Sequence, residues 1–187
     1  MHILLVGPRG AGVTSFGEAL SAHTGWVFHD DLDGARRASA PIEPGVIAAE
    51  LARDAVFRRE HGNKPRIIAS WHLVHLARAG IHTPALALGS LRALRRALDS
   101  QPLIVIPVTA SEDTRRARLQ RDRLDGNEHR IVRAALDLAE GCDATLLPPA
   151  DTTDIHAEEF VLQIADKLLA FTDDPHPHTL RHARHEA

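Results

Sequence analysis

The sequence predicts a three-layer α/β domain, with a five-stranded parallel sheet covered by helices on both faces. Three observations carry this. Short apolar runs alternate with longer amphipathic ones along the chain. Each predicted strand is apolar nearly throughout, as strands buried on both faces are. The first strand runs directly into a glycine-rich turn that opens a helix, the ordinary βα junction of such a fold.

His2–Val6 is the first strand, and Val13–His23 the first helix, with Phe16 and Leu20 on one face. Trp26–His29 is the second strand and breaks into the acidic stretch Asp30, Asp31, Asp33. Turn residues around Pro41 and Pro44 precede a helix over Gly45–Glu60, and Arg66–Ala69 is the third strand. Helices over Trp71–Ala79 and Pro84–Leu98 follow. Leu103–Val108, β-branched and bounded by Pro102 and Pro107, is the fourth strand. Helices over Ser111–Leu124 and Glu128–Glu140, a fifth strand over Ala144–Leu147 and a last helix over Ile155–Phe171 complete the domain. The domain spans 1–171. Residues 172–187, with Pro175, Pro177, His176, His178, His182 and His185, have the composition of a solvated, disordered terminus.

The 187 residues are 44% hydrophobic and 25% charged, enough for one domain with a real core. A formal charge of −3 argues against a surface that coats nucleic acid. One cysteine, Cys142, excludes an internal disulfide framework and reads as a small buried residue. The apolar start is too short to span a membrane and lacks the pattern of a secretion signal, so a cytoplasmic protein is expected. Only Lys64 and Lys167 are lysines, so cationic chemistry falls mostly to arginine.

The turn reads Gly7-Pro8-Arg9-Gly10-Ala11-Gly12-Val13-Thr14-Ser15. It matches the phosphate-loop pattern G-x-x-x-x-G-K-[ST] at Gly7, Gly12 and Thr14, with Val13 in the lysine position. Glycines let backbone N–H groups turn toward a polyphosphate, and the helix N-terminus adds partial positive charge. Glycines can also serve packing alone, but strand, loop, hydroxyls and helix together favour phosphate binding. Arg9, inside the loop, is the nearest cation in sequence to replace the lysine. His29, His72 and His75 have no spacing that recommends a metal site.

The stretch from His2 to Asp33 resembles the opening of shikimate kinases and nucleoside monophosphate kinases, members of the P-loop NTPase fold. The segment Phe57-Arg58-Arg59 is similar to the shikimate-kinase segment whose arginine holds the substrate carboxylate. Ile104–Arg123 resembles the strand and lid of these kinases, and Asp151–Leu169 their closing helix. The resemblance implies an ATP-dependent, Mg²⁺-dependent phosphotransferase acting on a small metabolite or nucleotide. Thr14 is then the magnesium hydroxyl. Asp30 orients the acceptor hydroxyl or holds magnesium, with Asp31 beside it. Arg118 and Arg121, chosen among the arginines of one helix, close over the nucleotide phosphates, unless that helix is only a solvated face. Trp71 stacks on a substrate ring or is a core aromatic. The third strand ends Ala69-Ser70-Trp71, lacking the acidic element of deoxynucleoside kinases and the triple glycine of shikimate kinases. Shikimate is therefore not inferred as the substrate. A nucleotide-binding domain without catalysis is the second reading that Val13 leaves open.

Overall fold

The computed structural model describes residues 1–30, 44–69, 73–74, 77–78, 84–97, 102–120, 123–153 and 157–173. The strands are β1 (His2–Val6), β2 (Val27–Asp30), β3 (Arg66–Ala69), β4 (Leu103–Thr109), β5 (Thr145–Leu146) and β6 (Ala150–Asp151). The helices are α1 (Val13–Thr24), α2 (Pro44–His61), α3 (Pro84–Ala97), α4 (Glu112–Leu119), α5 (Asn127–Glu140) and α6 (Ala157–Asp173). Leu73, Val74, Ala77 and Arg78 also have helical backbone.

The sheet order is β2-β3-β1-β4-β5, with every pair parallel. The five-stranded parallel sheet is as expected. The two-residue strand β6 was not, and it pairs with Val108 and Thr109 near the end of β4. Pro148 and Pro149, which donate no N–H, separate it from β5.

Side-chain alternation divides the core into two. Ile3, Leu5, Ile104, Ile106 and Val108 pack on one face beneath Phe16 and Leu20 of α1 and Ile164 and Leu168 of α6. Val6, Leu103 and Val105 face the other way, against Leu73, Ala77, Leu91 of α3, and Ile131 and Leu138 of α5. This gives the three layers. Cys142 is buried in the second cluster, and burial pushes its thiol pKa up.

Two element boundaries differ in consequence. β2 runs one residue later than expected and ends on Asp30, which the register pairs with Ala69 of β3; Ala69 in turn pairs with Leu5 of β1. The helix expected over Ser111–Leu124 stops at Leu119, because Gln120 adopts left-handed backbone (φ 51°) and its N–H closes the last turn onto Ala117 and Arg116 carbonyls. That termination carries no glycine or proline to announce it.

Candidate active site

The loop between β1 and α1 has the geometry that its glycines permit. Gly10 and Gly12 sit at φ 77° and 80°, where L side chains are strained. At Gly7 a Cβ would lie 2.4 Å from the Val108 carbonyl oxygen of β4, so the loop passes against the strand only as glycine. Gly12 precedes the first turn of α1 and no side chain caps it, leaving that end of the helix without a side-chain acceptor.

Three consecutive carbonyls of the loop are held from outside it. The Arg115 Nε–H donates to the Arg9 carbonyl at 2.9 Å. Arg118 Nη1 donates to the Gly10 carbonyl at 3.1 Å, and the Thr152 hydroxyl to the Ala11 carbonyl at 2.6 Å. Tying the carbonyls on this side leaves N–H groups of the loop to face an anion, except that of Ala11, which donates to the Pro8 carbonyl at 3.0 Å.

Each anchor is itself fixed. Arg115 is fully buried; its Nη2 donates to Glu128 Oε2 at 2.6 Å and its Nη1 to His129 Nε2 at 2.8 Å. Since arginine can only donate, that imidazole nitrogen is the acceptor. Arg118 also grips Thr152, through the hydroxyl at 3.0 Å and the carbonyl at 2.6 Å. Asp151 holds the turn behind Thr152 by accepting from the Thr153 hydroxyl and N–H, bonds that keep its carboxyl below the usual carboxylate range.

Asp30 reaches the same place from the end of β2. One carboxylate oxygen, Oδ2, accepts from the Thr14 hydroxyl at 2.6 Å, while the other, Oδ1, is buried without a hydrogen-bond partner. Loop and carboxylate open onto a cavity of about 570 Å³. Gly7, Arg9, Gly10, Gly12, Val13, Thr14, Asp30 and Arg118 line it, and so does Arg78, which the sequence had not singled out. Ser15 is exposed in the first turn of α1, and Ala11 is buried beneath the loop. The Arg9 side chain is 59% exposed, its Nε 3.8 Å from Glu128 Oε1. Val13 is half-buried and packs against the core.

Arg58 is a correction. It does not join this cavity: its Nε donates to Asp54 Oδ2 at 2.6 Å, and Asp54 also pairs with His2 Nε2 at 3.1 Å. His2 begins β1, about 16 Å of parallel strand from the loop. The reason is connectivity, since α2 must deliver the chain to the amino end of β3 at Arg66, and Arg58 lies in its last turn. Asp31, Trp71 and Arg121 lie outside the described residues, as do His72, His75 and residues 174–187.

Arg115 and Thr152 were the residues missed. Nothing in the sequence distinguishes Arg115 from its neighbours in an arginine-rich helix. Thr152 had a signal, a polar turn just before the last helix. Among the described residues, no helix is long and apolar enough to cross a membrane, and no group of three or more His, Cys, Asp or Glu is placed to hold a metal ion.

No protein-family model matches the chain, and no curated protein does. Solved structures do. A deoxyadenosine kinase from M. mycoides with the product dCMP and a flexible dCDP bound is 14% identical, with a TM-score of 0.53, over 91% of this chain and 100% of that one. A shikimate kinase from Acinetobacter baumannii in complex with shikimate is 21% identical, with a TM-score of 0.44, over 92% and 95%. A gluconokinase from Sinorhizobium meliloti 1021 is 17% identical, with a TM-score of 0.43, over 92% and 97%. The chain has the P-loop kinase-like fold, and its structural neighbours are small-molecule and nucleotide kinases.

Proposed function

We propose that this chain is an atypical ATP-dependent phosphotransferase acting on a hydroxyl group of a small metabolite or nucleotide. The observation that carries the reading is Asp30. One of its oxygens is held by Thr14, the other is buried and unpaired, and the residue lines the cavity that the glycine loop opens onto. A buried acceptor without a partner is costly unless a ligand or water satisfies it. A hard cation or an acceptor hydroxyl fits that oxygen, and the loop fits a polyphosphate.

Roles follow from position. Backbone N–H groups of Gly10 and of Gly12–Ser15 would hold the phosphates, that of Ala11 being bonded to the Pro8 carbonyl, with Arg9 beside them on the loop. Arg118 keeps the loop in shape through Gly10 and Thr152. Thr14 and Asp30 would hold Mg²⁺, which when bound with ATP supplies the charge neutralisation that phosphoryl transfer needs. Asp30 also stands where it can accept the proton of an incoming hydroxyl, at the carboxyl edge where open parallel sheets bind ligands.

Val13 favours a second reading, a nucleotide-binding module without catalysis. Its apolar side chain packs on the core and offers a phosphate no hydrogen bond. Calorimetry with nucleotides, with and without Mg²⁺, followed by phosphotransfer assays over nucleoside monophosphates and hydroxy-metabolites, separates the two. Binding with turnover supports the enzyme. Binding without turnover across the panel leaves the silent module, and no binding overturns both.

A further inference from the structure

In a phosphate loop of the standard pattern, lysine brings a positive charge to the β- and γ-phosphates. Val13 cannot, so the charge must come from elsewhere in the cavity or be missing. Among the described residues, three arginines line that cavity: Arg9, Arg78 and Arg118. Arg118 is committed, with both Nη atoms bonded to Gly10 and Thr152. Arg9 is mostly exposed and leans toward Glu128. Arg78 is exposed too, and differs from both in its bonding. Among the described residues it makes no hydrogen bond or ion pair.

Leu73 and Ala77, both with helical backbone, are buried in the core cluster beneath α3 and α5. Val74 and Arg78, the residues that follow them, both line the cavity. Leu5, Ala69, Ile131 and Val132 line the same cavity, as do the acidic residues Asp30 and Glu128. Arg78 is exposed and, among the described residues, paired with neither carboxylate, so its guanidinium can take an anion in the cavity. Its planar fork suits two phosphate oxygens at once.

We propose that Arg78 supplies the phosphate-neutralising charge that Val13 cannot, by binding the terminal phosphates of a nucleoside triphosphate seated on Gly7–Ser15. The charge has moved from the loop to the helical segment after β3. The inference rests on the nucleotide-binding part of the function proposed above, and not on catalysis.

The test is calorimetry of the full chain with Mg²⁺-ATP and no acceptor, on wild type, Arg78→Ala, Arg78→Lys, Val13→Lys and the double variant Val13→Lys/Arg78→Ala. Arg78→Ala should weaken ATP binding by about tenfold or more, the size of one contact to a charged group. Arg78→Lys should retain most of the affinity, and Val13→Lys should restore it in the Arg78→Ala background. Thermal melts establish that Arg78→Ala is folded, as expected for an exposed side chain without protein partners. Unchanged ATP affinity in Arg78→Ala overturns the proposal, and so does a double variant no better than Arg78→Ala. If Arg78→Ala alters only the KM of an acceptor, Arg78 belongs to the acceptor side and the proposal is wrong while the phosphotransferase reading stands. A wild type that binds no nucleotide overturns both.

Discussion

The guanidinium of Arg115 holds the carbonyl of Arg9, 106 residues away in sequence, at 2.9 Å. Through that bond the start of α4 fixes the phosphate loop, and through Glu128 and His129 it ties both to α5. Arg115→Met removes a buried cation and strands its carboxylate partner, a loss of about 3 kcal/mol. Arg115→Met/Glu128→Met should regain part of that stability, because no charge is then left unpaired. It should not regain nucleotide affinity, because the Arg9 carbonyl stays untied. Urea midpoints and ATP calorimetry on the two variants check this, and equal recovery of both properties would show that Arg115 serves stability alone.

Glycines of the same chain should respond in opposite directions to the same substitution. A Cβ at Gly7 meets the Val108 backbone oxygen at 2.4 Å, which cannot step aside like a flexible side chain. Gly7→Ala should therefore displace the loop, cost about 1–3 kcal/mol and abolish nucleotide binding. Gly89, inside α3, faces open space. Gly89→Ala should stabilise by about 0.5–1 kcal/mol through helix propensity. Paired thermal melts decide it, and a Gly7→Ala chain that melts and binds like wild type contradicts the loop geometry.

The parts legible in sequence were those fixed by local chemistry. Strand β1, the glycine turn and α1 follow from an apolar run, three glycines and an amphipathic helix within the first 24 residues. Asp30 was legible because strand ends in a parallel sheet face ligands. The role of Arg115 was not, since its burial depends on Glu128 and His129, which belong to another helix. Arg78 was hidden for a similar reason: it is an exposed arginine, and only the packing of the chain around Leu73 and Ala77 brings it to the border of the cavity. That Arg58 lies apart from the loop cavity follows from topology. Eight residues before a parallel strand begins, the chain is already close to the amino edge.

At that edge, His2 gives the protein a pH dependence. Burial pushes its imidazole below the ordinary value of 6.5, outweighing the upward pull of Asp54 at 3.1 Å. The N-terminal amine and Arg66 also face it and lower it further. Between the folded pKa and 6.5 the unfolded chain binds a proton that the native chain refuses, so stability rises with pH across that window. Stability should fall as the solution is acidified below about 6.5. His2→Gln, which cannot titrate, should flatten this part of the curve. Urea midpoints measured at a series of pH values read the difference, and a wild type that gains stability on acidification relative to His2→Gln would reverse the sign argued here.

The Thr14–Asp30 pair is where chemistry and folding can be separated. Asp30→Asn keeps the shape, and its amide oxygen can still accept from the Thr14 hydroxyl, so the melting temperature should change little. What disappears is the negative charge that would accept a proton from an acceptor hydroxyl and neutralise a cation beside Thr14. Turnover with any acceptor that wild type phosphorylates should fall by about 10²–10⁴-fold, the usual contribution of a positioned base. Thr14→Val, by contrast, leaves the carboxylate charged but takes away the hydroxyl that holds Oδ2. It should weaken the Mg²⁺ dependence of nucleotide binding, whereas Thr14→Ser should preserve it. Initial rates across a Mg²⁺ titration, with melting curves on the same preparations, carry the comparison. An Asp30→Asn chain that turns over at the wild-type rate would take Asp30 out of the reaction, and with it the observation on which the phosphotransferase reading stands.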